Sequence, residues 1–368
     1  MNINRRSLLL GSAAAVRAAH GQSGERVNTA VIGVGNRGAH VLQGVLEQPN
    51  AKVAAICDLK PDRLDKAATA AAKDNPATYT EWRKIIDRKD VEAVVIATPP
   101  HLHSEMAIAA LQAGKHVYCE KPVGVTAAQV RDLVRVAKRT NKVFVAGQQM
   151  RSFLQMGEAV RKIRGGVIGD VIMVKAQRHA TRDIPHDFSS ADWYFDVTKS
   201  GGYLIEQSVH NLDACNWIIG AHPVRACGFG GTLLYKNDPP GRSIFDCGSI
   251  TFEYPGGAVM SFTQNVFHAR RMPNNNQLIY VYGTKGSVDM LYSTMMYPLG
   301  EGDPVELAAK RKEAQHAHVT AFYDSITKGS PSPADISIGA SAALTAILAH
   351  EALVRQKVVT WSELGVEV

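Results

Sequence analysis

Short apolar runs alternate with helical patterns over the first part of the chain, from Val27 to Gln148. The runs are nearly continuous in apolar residues, which is typical of parallel strands covered on both faces of a sheet. Helix signals lie between them, such as a capping box from Thr126 to Gln129 and the Gly114 that follows an apolar helical pattern. The alternation predicts a doubly wound α/β domain, here a Rossmann domain with a parallel sheet. The five predicted strands read TAVIGVG, KVAAICD, EAVVIATP, HVYCEK and KVFVAGQ.

The pattern changes after Gln148. The later segments alternate apolar and polar residues and are interrupted by PGG and GTKG turns, which predicts an α+β domain with an open, mainly antiparallel sheet. A last helical pattern, Ile338 to Val354, is expected to pack back onto the rest of the protein. We therefore expect a first domain over residues 27–149 and a substrate and oligomerisation domain over residues 150–368.

The first 21 residues read as a secretory signal. They have a basic start, an apolar run from Leu8 to Val16 and a small-residue exit. The Arg5-Arg6 pair predicts a twin-arginine-type signal and therefore export to the periplasm. Arg17 interrupts the apolar run, so a cytoplasmic tail and a cytoplasmic protein remain the alternative.

Composition excludes several classes of protein. With 45% hydrophobic and 20% charged residues, the 368-residue chain is typical of a soluble globular protein of two domains. Its formal charge of +7 is scattered among acids, with no basic stripe, so we predict no nucleic-acid partner. No run reaches the ~18 apolar residues of a membrane span. Five cysteines without CxxC spacing predict neither a disulfide framework nor a metal site.

The segment GVGNRG follows the first predicted strand and opens a helix, which gives the GxGxxG pattern its meaning. Gly33 permits the tight turn, Gly35 lets the backbone approach a pyrophosphate, and Gly38 brings the helix close to the strand. The helix N-terminus supplies N–H groups for phosphates. Asn36 and Arg37 complete this predicted dinucleotide-binding loop.

Asp58 ends the second predicted strand, 20 residues after Gly38. An acid at this place accepts hydrogen bonds from a ribose 2′-hydroxyl and repels a 2′-phosphate. NAD is therefore favoured as the cofactor, while Lys60 and Arg63 close by leave NADP open.

Two further strands end in polar residues, in the segments ATPPHLH and YCEKP. Ligands of open parallel sheets bind beyond the carboxyl ends of the strands. In a chain with the dinucleotide pattern, we therefore expect these residues in the cofactor cleft: Thr98, Pro99, His103, Glu120 and Lys121.

Over essentially everything after the signal, the sequence resembles the Gfo/Idh/MocA family of oxidoreductases, to which glucose-fructose oxidoreductase and inositol 2-dehydrogenase belong. The resemblance lies in the GVGNRG loop, the TPxxxH stretch, AGKHVYCEKP, MRSF, GVIG before the second domain's first strand, and GGYLIEQSVHNLD. It implies a second domain whose open sheet often packs against another subunit, and hence a homo-oligomer, either a dimer or a tetramer.

The resemblance also implies catalytic residues. Lys121 matches the family lysine near the nicotinamide and the substrate, His210 matches the acid-base histidine, and Glu206 stands where the family has aspartate. The usual asparagine of the TPN turn is replaced by Pro100. We expect His210 to act as the base, Lys121 to stabilise the developing alkoxide, and Glu206 to orient or bind substrate.

Spacing predicts one helix over GGYLIEQSVHNLD that places Glu206, His210 and Asp213 on one stripe. Asp213 then either holds His210 or is structural. Other polar and aromatic residues suit a sugar, although a solvated loop has the same composition; the candidates for substrate contacts are Arg151, His179, Arg182, Trp193 and Asp213.

The sequence leaves the reaction open between several classes. The first is an NAD(P)-dependent oxidoreductase acting on a secondary alcohol of a sugar, inositol or related polyol. The alternative is a redox-neutral enzyme with tightly bound NAD, either of the glycosidase type or passing hydride between two sugars. A non-catalytic binding module and a metal-assisted lyase are weaker alternatives. Export favours the tightly bound cofactor, because little free NAD is expected outside the cytoplasm.

Overall fold

The structure, a computed structural model, describes residues 26–181, 193–272 and 276–368. The predicted signal, residues 1–21, and the substrate candidate Arg182 lie outside the described residues.

The first domain contains a six-stranded parallel sheet flanked by helices, as the alternation predicts. Its order is β3-β2-β1-β4-β5-β6. The strands are β1 (Val27–Ile32), β2 (Ala51–Cys57), β3 (Ala77–Tyr79), β4 (Ala93–Ile96), β5 (His116–Cys119) and β6 (Phe144–Ala146). The helices are α1 (Asn36–Leu46), α2 (Pro61–Ala70), α3 (Arg83–Ile86), α4 (His103–Gln112) and α5 (Ala127–Ala137).

Thr126 caps α5 as expected, since its side chain accepts from the Gln129 N–H at 3.3 Å. The reciprocal bond of the capping box is shifted by one residue, because the Gln129 side chain accepts from the Val125 N–H at 2.9 Å. The helix start is therefore fixed by local side chains.

The second domain contains a nine-stranded sheet with the order β14-β13-β12-β11-β7-β10-β9-β8-β15. Its strands are β7 (Val171–His179), β8 (Arg225–Gly231), β9 (Cys247–Glu253), β10 (Val259–Asn265), β11 (Gln277–Gly283), β12 (Gly286–Asp289), β13 (Met295–Pro298), β14 (Val305–Glu306) and β15 (Val359–Thr360). Its helices are α6 (Leu154–Arg164), α7 (Val197–Ser200), α8 (Gly202–Glu206), α9 (Val209–Ile219), α10 (Ala317–Thr327) and α11 (Ile336–Arg355). Among the described strands of this second sheet, only β7 and β10 pair in parallel, so their carboxyl ends lie at the same edge of the sheet.

The single helix expected over GGYLIEQSVHNLD is wrong. The chain forms two helices, α8 and α9, separated by Gln207 and Ser208. Because the helical turn is interrupted there, Glu206 and His210 do not share one continuous stripe. Both residues nevertheless lie near Lys121, which contacts Glu206 and whose charge acts on His210.

Helix α11 joins the two domains. Of the described helices it is the one long and apolar enough to cross a membrane, but 67% of its apolar window is buried inside the protein. Gly339 lies so close to the first domain that a Cβ there would be 2.7 Å from the Ala146 Cβ. The apolar length of α11 therefore reflects a core position.

Candidate active site

The glycine-rich loop has the geometry that a dinucleotide requires. Gly33 has φ +83°, and a Cβ there would lie 2.7 Å from the Ala97 carbonyl oxygen. A Cβ at Gly38 would lie 1.9 Å from the Gly33 oxygen, so α1 can approach the turn only with glycine at this position. Gly35 precedes α1, and no side chain caps the helix there. The first turn, which begins at Asn36, can therefore offer its N–H groups to phosphates.

Charged side chains complete the cofactor cradle, which consists of the glycine-rich loop, the first turn of α1, Asp58 and Arg63. The Asp58 carboxylate accepts from the Val34 N–H at 2.8 Å and from the Lys60 N–H at 3.0 Å, which fixes it beside the loop. The Arg63 guanidinium lies over Gly35, with Nη1 3.0 Å from the place a Cβ would take. Helix N-terminus, carboxylate and guanidinium together fit the phosphates and ribose of an NAD-type dinucleotide.

Arg37, predicted as a cofactor residue, is tied to neighbouring side chains. Its guanidinium donates to Glu120 Oε1 at 2.8 Å and to Gln149 Oε1 at 3.0 Å, and it lies 3.3 Å from His318 Nε2. The Tyr118 hydroxyl also donates to Glu120, at 3.0 Å. Burial opposes ionisation of Glu120, but Arg37 outweighs it and the pKa of this carboxyl is lowered. The half-buried Arg37 and the buried Glu120 thus form an ion pair that links the loop to the strand end before Lys121.

His318 on α10 extends this cluster. Burial, opposed by Glu120 and assisted by Arg37, lowers the pKa of His318 to about 4. The imidazole is therefore neutral near pH 7 and can accept the Arg37 N–H through Nε2. Sequence reasoning missed His318, because nothing in its local pattern indicates that α10 reaches the glycine-rich loop.

His103 lies behind the cleft surface. It is 1% exposed, and its ring nitrogens lie 2.7 Å from the Pro122 oxygen and 2.8 Å from the Thr98 oxygen. The ring thereby joins the segment after β4 to the segment after β5. Thr98 and Pro99 remain half-buried at the strand end. This geometry favours His103 as a positioning residue for the cleft over a direct cofactor contact.

Lys121 and Glu206 meet across the two domains. Lys121 Nζ is 2.8 Å from Glu206 Oε1 and also donates to the Glu206 main-chain oxygen. The two side chains are 10% and 8% exposed, so the pair is shielded from solvent. The structure therefore places the carboxylate of Glu206 on Lys121.

His210 lies in the first turn of α9, close to this pair. Its Nδ1 is buried and has no hydrogen-bond partner among the described residues. Burial, and then the positive charges of Lys121 and Arg178, lower the pKa of His210 well below its usual value. The imidazole is therefore neutral at pH 7 and able to accept a proton.

Asp213 does not hold His210, although the sequence allowed this. Its carboxylate binds Arg151 in a bidentate manner, with contacts of 2.8, 2.9 and 3.2 Å. The side chains are 11% and 2% exposed, and the guanidinium stacks 5.2 Å from the Trp217 ring centroid. The pair joins the start of the second domain to α9. This geometry favours a structural role for Asp213 over contact with His210, and it favours a structural role for Arg151 as well.

Two substrate candidates remain in the described part of the chain, His179 and Trp193. His179 ends β7, with Nε2 3.0 Å from Thr263 Oγ1 and its ring 5.6 Å from that of His268. It therefore lies at the carboxyl end of β7, beside the end of β10. Trp193 is half-buried, and its ring meets the Tyr194 ring edge-on at 5.8 Å.

A network of side-chain hydrogen bonds, which the sequence did not reveal, holds the Glu206 carboxylate in place. The Gln207 amide donates to Glu206 Oε2 and accepts from Arg178 Nη2 at 3.1 Å, and Arg178 Nη1 donates to Gln277 Oε1. Arg178 lies 29 residues from Gln207 and 99 residues from Gln277, so no local motif could indicate these two contacts. This hydrogen-bond network links β7 and β11 to the Lys121–Glu206 pair.

Comparison with known proteins identifies the family of this chain. Residues 27–148 match the model of the oxidoreductase family with an NAD-binding Rossmann fold, and residues 156–289 match the GFO/IDH/MocA C-terminal domain. Together the two models cover more than half of the chain. The protein is thus an oxidoreductase with an NAD-binding domain, and it belongs to the Gfo/Idh/MocA family. The α/β domain followed by a mainly antiparallel α+β domain is confirmed.

Individual relatives differ in their named activities. The chain is 28% identical to 2,7-anhydro-N-acetylneuraminate hydratase of Escherichia coli over 71% of this chain and 67% of that protein. It is 30% identical to levoglucosan dehydrogenase of Pseudarthrobacter phenanthrenivorans over 64% of each. A solved structure of levoglucosan dehydrogenase in complex with NADH and levoglucosan has a TM-score of 0.78 at 23% identity, covering 91% of this chain and 99% of that one. The matched region spans about half to two thirds of the curated relatives.

Proposed function

We propose that the protein uses NAD to oxidise a secondary alcohol of a sugar, inositol or related polyol. The observation that carries this proposal is the convergence of Lys121 and His210 beside the cofactor cradle. One is a shielded ammonium held by Glu206, and the other is a neutral imidazole with an unpartnered Nδ1. The relative named levoglucosan dehydrogenase supports a sugar-like substrate.

The chemistry divides between the cofactor and the side chains. When NAD is bound, it supplies the acceptor for the hydride that leaves the carbinol carbon. His210 takes the hydroxyl proton as the C–O bond becomes a carbonyl, and its neutral state at pH 7 makes this possible. Lys121 donates a hydrogen bond to the oxygen while negative charge develops there. Glu206 keeps the Lys121 ammonium in place.

Replacing His210 with alanine tests the assignment. Loss of the base is expected to lower kcat by about 10²- to 10⁴-fold while NAD affinity stays within about twofold. Turnover is followed as NADH formed with a panel of sugars and polyols, and NAD affinity by titration. His222→Ala is the matched control, since His222 stacks on Trp361 away from the cleft. Undiminished turnover of the His210→Ala enzyme would rule out the proposed base.

A redox-neutral reaction with tightly held NAD is the second candidate. A relative named as a hydratase favours it, because hydration requires no net oxidation. The Arg63 guanidinium over Gly35 also supports firm retention of a pyrophosphate. Protein purified without nucleotide, dialysed and then denatured should release near-stoichiometric NAD if this candidate holds. An empty protein that binds added NAD reversibly supports the ordinary dehydrogenase.

Two further expectations are part of this proposal. Residues 1–21 direct export. Changing Arg5 and Arg6 to lysine should abolish export in a fractionation assay, and unchanged recovery from the periplasm would contradict this expectation.

The protein forms a dimer or tetramer through the outer face of the nine-stranded sheet, where Met173 and Val259 are exposed neighbours. Light scattering that gives the monomer mass would contradict the second expectation.

A further inference from the structure

Arg178 differs from three other cations near the active site, each of which has a carboxylate partner. Lys121 pairs with Glu206, Arg37 with Glu120, and Arg151 with Asp213. Arg178 is half-buried at the carboxyl end of β7, and its hydrogen bonds go to the neutral amides of Gln207 and Gln277. No acid in the described part of the chain forms an ion pair with it. The two amides hold the guanidinium in place, and neither of them neutralises its charge.

Unpartnered polar atoms lie around this cation. Gln264 is the cross-strand neighbour of Arg178 on β10; it is 2% exposed, and its Oε1 has no partner among the described residues. Ser208 Oγ and Asn211 Oδ1, on either side of His210, are also buried and have no partner within the part of the chain that the structure describes. Asn211 reaches the Gln177 main-chain oxygen at 3.4 Å, so this turn of α9 covers the end of β7. Buried polar atoms are normally satisfied, so these suit a polar ligand.

We propose that the substrate is a polyhydroxy carboxylic acid, such as a sugar acid, whose carboxylate binds Arg178. A guanidinium offers paired N–H donors that match a carboxylate in a bidentate manner. The unpartnered atoms of Gln264, Ser208 and Asn211 would then meet hydroxyl groups of the same ligand. This inference rests on the proposed function and narrows its substrate class from polyols to anionic ones.

The arrangement also has an electrostatic consequence for the base. Arg178 is among the charges that depress the pKa of His210, so a bound carboxylate would partly cancel that effect. An acid substrate would thereby make His210 a stronger base when it binds, whereas a neutral sugar would leave the base weaker.

Binding of matched pairs tests the proposal. The intact enzyme, saturated with NADH, is titrated calorimetrically with D-glucuronate and D-glucose, D-galacturonate and D-galactose, and D-gluconate and D-glucitol. Acetate tests for binding of a carboxylate without hydroxyls. We expect at least one acid to bind about tenfold or more tightly than its neutral partner, and more tightly than acetate.

Arg178→Gln should bind each acid and its neutral partner with about equal affinity, whereas Arg178→Lys should keep part of the preference for the acid. Lys175→Gln is the matched control, because Lys175 is exposed on the same strand and its replacement removes the same charge. The proposal is overturned if no acid binds more tightly than its neutral partner, or if the preference survives in Arg178→Gln. The comparison of acids with their neutral partners in the wild-type enzyme tests the proposal even if Arg178→Gln does not fold. His210→Ala should retain acid binding without turnover, so failure of the subsite and failure of the proposed base are distinguishable.

Discussion

Arg151→Met tests whether Arg151 and Asp213 serve the fold or the substrate. The side chains of this pair are 11% and 2% exposed and share three contacts of 2.8 to 3.2 Å. Methionine keeps much of the packing on Trp217 but leaves the Asp213 carboxylate buried without a partner in the described structure. Removing one member of a buried pair costs about 3 to 5 kcal/mol in the free energy of unfolding.

The pH dependence of that loss has a definite sign. Burial raises the pKa of Asp213 even though Arg151 lowers it, so loss of Arg151 should raise this pKa further. A carboxyl whose folded pKa exceeds its unfolded value destabilises the protein most at high pH, where it must stay ionised. The deficit should therefore shrink as the pH falls through the raised folded pKa toward the unfolded value.

Urea unfolding at several pH values, with saturating NAD, measures the effect. Arg225→Met is the matched control, because Arg225 pairs with Glu253 at 54% and 38% exposure and should lose less than about 1 kcal/mol. Adding Asp213→Leu to Arg151→Met should recover part of the stability, since it removes the stranded carboxylate. An Arg151→Met enzyme of nearly wild-type stability with a strongly raised substrate KM would refute the structural role.

Four other predictions concern the cofactor loop and the histidines. Gly38→Ala should abolish NAD binding in a titration, because its Cβ would lie 1.9 Å from a main-chain oxygen, while Gly300→Ala, in open space, should bind normally; equal affinities would contradict this. His318→Leu should raise the KM for NAD, whereas His318→Gln keeps an acceptor for Arg37 and should raise it less. Because the pKa of His318 is lowered to about 4 in the folded protein, the unfolded chain binds more protons between pH 7 and 5. The free energy of unfolding should therefore fall by about 2 kcal/mol through this group when the pH is lowered from 7 to 5, and it should fall by less in His318→Gln. The acid limb of kcat/KM should lie below the usual histidine pKa because that of His210 is lowered; a limb above it would contradict the assignment.

The sequence predicted the parallel sheet well because its strands are buried on both faces and therefore appear as apolar runs. It missed β3, which has three residues, lies at the sheet edge and buries little surface. It also predicted one helix where α8 and α9 are separate. Apolar spacing could not reveal that interruption, because Gln207 and Ser208 fit a helix and their conformation depends on packing against β7.

The individual side chains of the site were predictable from motifs, but their pairings were not. A motif places Lys121 at a strand end and His210 on a helix, and both are near the cleft in the structure. The ion pair of Arg151 with Asp213 and the contact of Arg178 with Gln277 join residues that are 62 and 99 positions apart. Such pairs depend on how sheets and helices pack, which residue spacing does not encode.

These pairings determine the character of the proposed base. A histidine that is hydrogen-bonded to a carboxylate has a raised pKa, whereas one among cations has a lowered pKa. Glu206 is engaged by Lys121, and Asp213 by Arg151, so neither acid holds the His210 ring. The ring therefore responds mainly to burial and to Lys121 and Arg178. If His210 is the base, its strength depends on what neutralises those cations, and a substrate carboxylate of the proposed kind would raise the pKa of His210 when it binds.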